Sequence, residues 1–93
     1  MSAVDLSFEE ETIWDKAQIR ILAKRAVDSV GGKAGFRAIG PTMRRAVIAE
    51  ACWSAIRTAA MIRPVTITKQ QMYGFEKAMR RAAGMTEEDD FAD

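Results

Sequence analysis

The sequence has no histidine and only one cysteine, so it lacks the side chains most often used in catalysis and metal binding. Histidine is the commonest general base near neutral pH and the commonest neutral metal ligand. One cysteine cannot form an internal disulfide, and without histidine it cannot complete the usual ligand set of zinc. Cys52 lies among apolar residues, which favours a buried, inert thiol over a nucleophile. We therefore expect no enzymatic activity, no catalytic residue, no metal, no cofactor and no small-molecule substrate.

Long uncharged apolar runs are also missing. The most apolar segment, residues 41–62, is interrupted by Arg44, Arg45 and Glu50 among other charges, which argues against a membrane span. Residues 1–15 contain five acidic side chains and no basic one, unlike the basic start of a signal peptide. We interpret the protein as cytoplasmic and expect no membrane among its partners.

The net charge of +1 conceals a strong asymmetry along the chain. Residues 1–15 and residues 85–93 each contain five acidic side chains and no basic one. Residues 16–84 hold all 14 basic side chains and three acidic ones, a balance of +11. A basic body between acidic ends indicates a polyanion, an acidic protein surface or the protein's own tail as its partner. The alternative is a set of charges that are merely solvated.

The hydrophobic pattern predicts an all-α fold: a small three-helix domain with a central apolar helix and an acidic C-terminal tail. The helices are expected at about 8–30, 41–62 and 69–83, within one domain over residues 1–84. Residues 85–93 would be a mobile tail, because their composition is strongly acidic. A chain of 93 residues buries only a thin core, so a homodimer is a possible way to gain burial.

The first predicted helix has a start signal and two apolar sides. Ser7 and Glu10 have the spacing of a capping box, in which each side chain accepts a backbone amide of the other residue. Ile13, Trp14 and Ile21 group on its minority apolar side. These three residues are candidates for a protein interface, with packing in the core as the alternative for Trp14.

The second predicted helix follows a glycine-rich segment, residues 31–40. We interpret that segment as a flexible connecting loop, with a phosphate-binding loop as the alternative. The helix begins at Pro41 and is apolar around most of its circumference, so Trp53 is expected in the core. Arg44 and Arg45 lie in its first turn, where the helix dipole disfavours cations. Their placement makes sense if an anion binds there.

The third predicted helix carries the strongest functional signal. Thr68 and Gln71 form a second capping box, and Gly84 is expected to end the helix. One side is apolar and the other would contact phosphates and base edges, with a solvated outer face as the alternative. The residues of this basic face are Lys69, Gln70, Tyr73, Lys77, Arg80 and Arg81. A second basic patch would comprise Lys33, Arg37, Arg44 and Arg45.

Two functional hypotheses follow from these patterns. The first is a small, non-catalytic regulatory protein that associates with nucleic acid or a nucleoprotein complex through its basic helical face, while the acidic tail competes for the same residues. The second is a protein-binding adaptor or inhibitor that docks a helical face onto a larger protein assembly, with the apolar side around Trp14 supplying the affinity.

Overall fold

The computed structural model describes residues 14–92, which form five helices and contain no strand. The helices are α1 (Lys16–Asp28), α2 (Gly32–Ala38), α3 (Gly40–Ala60), α4 (Lys69–Ala82) and α5 (Glu87–Phe91). The predicted all-α class is confirmed. The predicted three-helix layout is too coarse, because two short helices, α2 and α5, accompany the three longer ones. Within residues 14–92, no helix has the length and apolarity that crossing a membrane requires.

The first long helix begins at Lys16, after the predicted start near residue 8. Asp15 is in the extended conformation and caps α1: its carboxylate accepts the amide of Gln18 at 2.8 Å. The Gln18 side chain in turn accepts the amide of Asp15 at 2.9 Å. This capping box satisfies the exposed amides at the helix start. The capping box predicted at Ser7 lies outside the described residues.

The segment predicted as a connecting loop forms the helix α2 instead. Gly31 and Gly32 have φ angles of 100° and 73°, so they make the sharp turn out of α1. Gly35 lies so close to the end of α1 that a Cβ built on it would be 2.1 Å from the carbonyl oxygen of Val30. The helix also buries Phe36 in the core. Its glycines therefore serve a close approach between helices as well as a turn.

The core lies where α1, α3 and α4 meet, since each of these helices packs against the other two. Phe75, Ile48, Met79 and Cys52 are its largest fully buried side chains. The amphipathic side predicted for α4 is buried through Met72, Phe75 and Met79. The complete set of buried apolar residues is Ile19, Ala23, Ala26, Val27, Phe36, Ile48, Cys52, Ile56, Met72, Phe75, Met79 and Met85.

The second predicted helix, α3, is only partly enclosed. Its buried residues Ile48, Cys52 and Ile56 lie on one side, which α1 and α4 cover. Trp53, expected in the core, is 45% exposed, because no neighbouring helix covers its side of α3. Apolar content around the whole helix therefore did not translate into a helix surrounded by partners.

The aromatic ring of Trp14 packs on the core rather than projecting freely from it. It stacks on Phe75 of α4, with ring centroids 4.5 Å apart and planes 8° from parallel. Ile21, its predicted companion on the interface side, is 52% exposed. Ile13 lies outside the described residues. The predicted interface group is therefore divided between a core-packed tryptophan and an exposed isoleucine.

The acidic tail, expected to be mobile, contains the helix α5 and packs on α3. Gly84 has a φ of 90° and turns the chain out of α4, and the next residue, Met85, is only 3% exposed. Thr86 then begins α5, and its amide donates to the Asp89 carboxylate at 2.9 Å. A helix of this length is unstable by itself, so contacts with the rest of the protein hold it in place.

Candidate functional site

Arginines from two helices that are distant in sequence converge at the C-terminal helix. Arg44 and Arg45 come from the first turn of α3, and Arg80 and Arg81 come from the last turn of α4. Both pairs contact consecutive residues of α5, Asp89 and Asp90. We call these four arginines the arginine cluster. The contacts join one half of the predicted basic face to the second predicted basic patch.

Asp89 binds the α3 side of the arginine cluster. Arg44 Nη2 donates to its carboxylate at 3.0 Å, and Arg45 donates to its backbone carbonyl oxygen. The amide of Thr86 donates to the other carboxylate oxygen. The hydrogen bond from Thr86 and the Arg44 guanidinium together hold the pKa of Asp89 below its ordinary value.

Asp90 binds the α4 side of the arginine cluster and is its most enclosed carboxylate. Arg80 Nε donates to it at 2.7 Å, and Arg81 contacts both carboxylate oxygens. The Asp90 and Arg80 side chains are only 9% and 10% exposed. Hydrogen bonding to Arg81, with the nearby charge of Arg80, lowers the pKa of Asp90. At neutral pH Asp90 is therefore a carboxylate enclosed by two guanidinium groups.

The unusual placement of Arg44 and Arg45 has a direct structural explanation. Cations in the first turn of a helix oppose its dipole, which led to the expectation of an anion near them. Asp89 is an anion at this position, and it belongs to the same chain. Arg44 also donates from Nη1 to the carbonyl oxygen of Arg37 at 2.9 Å, next to the C-terminal end of α2. Arg44 is therefore held by two elements, α2 and α5.

A cavity of about 490 Å³ lies beside the arginine cluster. Three cations of the second predicted patch, Lys33, Arg37 and Arg44, line it together with Asp89. Apolar side chains, including Phe36 and Met85, complete the lining. Cationic groups over an apolar floor can bind an anionic ligand, because guanidinium and ammonium groups donate hydrogen bonds to phosphate or carboxylate oxygens.

The basic face predicted for α4 is divided along the helix. Lys69, Gln70 and Tyr73 are exposed at its N-terminal end, and Lys77 is half-buried. Arg80, predicted to be exposed, is buried because α5 covers it, and its partner is Asp90. With a rise of 1.5 Å per residue, the face extends about 18 Å from Lys69 to Arg81.

Asp89 and Asp90 are the residues of this site that the sequence reasoning did not select. Thr86 followed three residues later by Asp89 is a capping-box spacing, which could have indicated a helix in the tail. The pairing of that helix with particular arginines has no comparable local signal, because the arginines are far away in sequence.

Cys52 is buried in the core, as predicted. Burial, together with the nearby negative charge of Glu76, raises the pKa of its thiol to about 12. The thiol is therefore protonated and shielded at neutral pH, which does not suit a nucleophile. In the part of the chain that the structure describes, no three acidic or cysteine side chains are grouped closely enough to hold a metal ion.

An apolar groove of about 500 Å³ lies between α1 and α3, away from the arginine cluster. Trp14, Leu22, Ala55 and Ile62 are among its lining residues. Trp14 therefore contacts the core through one ring face and also borders this groove.

Comparison of the chain with protein-family models, with curated proteins and with solved structures finds no match. The functional argument therefore depends on the residues and their geometry.

Proposed function

We propose that this protein is a small, non-catalytic nucleic-acid-binding protein that contacts phosphates through one basic surface. The observation that carries the proposal is the convergence of Arg44 and Arg45 with Arg80 and Arg81 around α5. This convergence makes the two basic patches parts of one surface. Its members are Lys33, Arg37, Arg44, Arg45, Lys69, Gln70, Tyr73, Lys77, Arg80 and Arg81.

The extent of the surface suits a polyanion better than a single small anion. Along α4 alone, cations are distributed over about 18 Å, a length of duplex that carries about ten phosphate charges. Tyr73 is exposed between Lys69 and Lys77, where an aromatic ring can stack on an unpaired base. The surface therefore combines phosphate contacts with one group suited to bases.

Salt dependence provides the first test of this proposal. Lys33, Arg37 and Lys69 are exposed and Lys77 is half-buried, so four cations are accessible without movement of α5. Four phosphate contacts predict that the logarithm of the affinity for duplex DNA falls with the logarithm of salt concentration with a slope of about −3.6. Fluorescence anisotropy with a labelled duplex of about 20 base pairs, between about 50 and 200 mM salt, measures this slope. Single-stranded RNA of similar length tests the other nucleic-acid class.

A pair of charge variants locates the binding surface. Lys69→Gln with Lys77→Gln should weaken binding and reduce the slope by about two, since each lysine supplies one phosphate contact. Lys16→Gln with Arg20→Gln is the control, because it removes the same charge from α1, outside the proposed surface. Equal weakening by both pairs would indicate a diffuse charge effect, and absence of binding by the wild-type protein to either nucleic acid at low salt would refute the proposal.

The alternative function is a protein-binding adaptor or inhibitor. Ile21, exposed on α1, supports it. Trp14, the strongest candidate anchor, supports it less than expected, because its ring is already stacked on Phe75. An Ile21→Ser variant that retains its fold and its nucleic-acid affinity, but loses a protein partner, would favour this alternative.

A further inference from the structure

We infer that α5 is an intramolecular competitor for nucleic acid, with Asp89 and Asp90 occupying two phosphate-binding positions on the arginine cluster. In this arrangement, nucleic acid reaches the arginine cluster only when α5 is displaced. The inference rests on the proposed function and adds its regulation to it.

The arginine cluster has the geometry of two adjacent anion sites. Arg44 and Arg45 bind one aspartate, while Arg80 and Arg81 bind the next. The contacts of Arg81 with both oxygens of Asp90 resemble the paired hydrogen bonds by which guanidinium groups bind carboxylates and phosphates alike. Guanidinium groups arranged to bind consecutive carboxylates are equally suited to neighbouring phosphates of one strand.

The helix α5 is attached mainly through its charges, which makes it displaceable by another polyanion. None of its residues is buried, and Phe91 is 84% exposed. The apolar anchor of the tail is Met85, which precedes α5 and lies in the core. Opening can therefore pivot at Thr86 and leave the core intact.

Covalent attachment gives α5 a high effective concentration at the arginine cluster. A single small anion competes poorly against two tethered carboxylates. A nucleic acid competes better, because the exposed Lys33, Arg37 and Lys69 hold it on the same surface before displacement begins. The tail should therefore reduce weak, nonspecific anion binding more than it reduces binding of a long polyanion.

A matched pair of double variants in the full chain tests this inference. Asp89→Asn with Asp90→Asn removes the two carboxylates that bind the arginines and keeps their size. Glu87→Gln with Glu88→Gln removes the same charge from the same helix, at residues that are exposed. At about 150 mM salt, the first pair should bind the labelled duplex about tenfold more tightly than the wild-type protein, and the second pair no more than about twofold.

Hydrogen exchange in the wild-type protein gives an independent measure of displacement. The amides of Asp89 and Ala92 donate within the tail, at 3.0 and 3.1 Å, and the Thr86 amide donates to Asp89. Saturating duplex should accelerate exchange at all three if α5 leaves its site. Slower or unchanged exchange on binding would refute displacement.

The outcomes separate this inference from the proposed function. Duplex binding with equal affinity in the two double variants overturns the competitor role of α5 and leaves nucleic-acid binding in place. No binding by any of the proteins at about 50 mM salt, with α-helical circular dichroism retained, overturns both.

Discussion

Replacing Gly35 by alanine provides a sharp test of how α1 and α2 are packed. Gly35 lies inside α2, and alanine at an ordinary helical position stabilises a helix by about 1 kcal/mol relative to glycine. Here, however, the added Cβ would lie 2.1 Å from the Val30 carbonyl oxygen, and backbone atoms on both sides must move to relieve the clash. Such overpacking costs about 1–3 kcal/mol and can cost more. We expect a net loss of about 2 kcal/mol in the free energy of unfolding.

Gly32→Ala is the matched control. Gly32 has a φ of 73°, but no atom lies within 4 Å of the added Cβ, so the substitution carries only backbone strain of about 1 kcal/mol. Urea unfolding followed by tryptophan fluorescence and circular dichroism measures both variants. With a dependence of about 1 kcal/mol per molar urea, the Gly35 variant should unfold at a concentration about 2 M lower than wild type. A Gly35→Ala protein as stable as wild type, or more stable, would refute the close approach of the two helices.

Three further predictions concern the core and the tail. Phe75→Ala should destabilise the protein by about 4 kcal/mol, measured by urea unfolding, and shift Trp14 emission to longer wavelength, because a fully buried ring and its stacking partner are separated; unchanged stability would contradict the packing. Cys52, with its pKa near 12, should resist iodoacetamide at about pH 8 until denaturant is added, and rapid labelling of the folded protein would contradict its burial. Asp89 and Asp90 have lowered pKa values in the folded protein, so their stabilising contribution is present above the ordinary value near 3.8 and is lost as the pH falls through the folded values. Exchange at the α5 amides should therefore show it docked at about pH 5 and released only below about pH 4, and release already at about pH 5 would contradict the lowered values.

The reliable predictions from sequence were those that depend on neighbouring residues. The start of α4 followed from Thr68 and Gln71, which form both hydrogen bonds of the predicted capping box. Its buried side followed from helical spacing, and its end followed from Gly84. In each case the interacting groups lie within one helical turn, so the sequence contains the whole signal.

The glycine-rich segment shows where this local reasoning was insufficient. Glycine is a frequent loop residue, and residues 31–40 were accordingly predicted to connect two helices. In α2, Gly35 instead permits the close approach to Val30, and Phe36 enters the core. Whether a glycine marks a flexible loop or a tight helix contact depends on which chain segment lies opposite, and spacing alone does not contain that information.

The sequence by itself determined the helical class, the amphipathic α4 and the separation of a basic body from acidic ends, because composition and helical periodicity are properties of the chain. Only the tertiary structure decided that Trp53 is exposed and that Trp14 stacks on Phe75. It also decided that the acidic tail docks on the basic body through the arginine cluster. These outcomes depend on which distant residues face each other, since burial and ion pairing are set by three-dimensional packing.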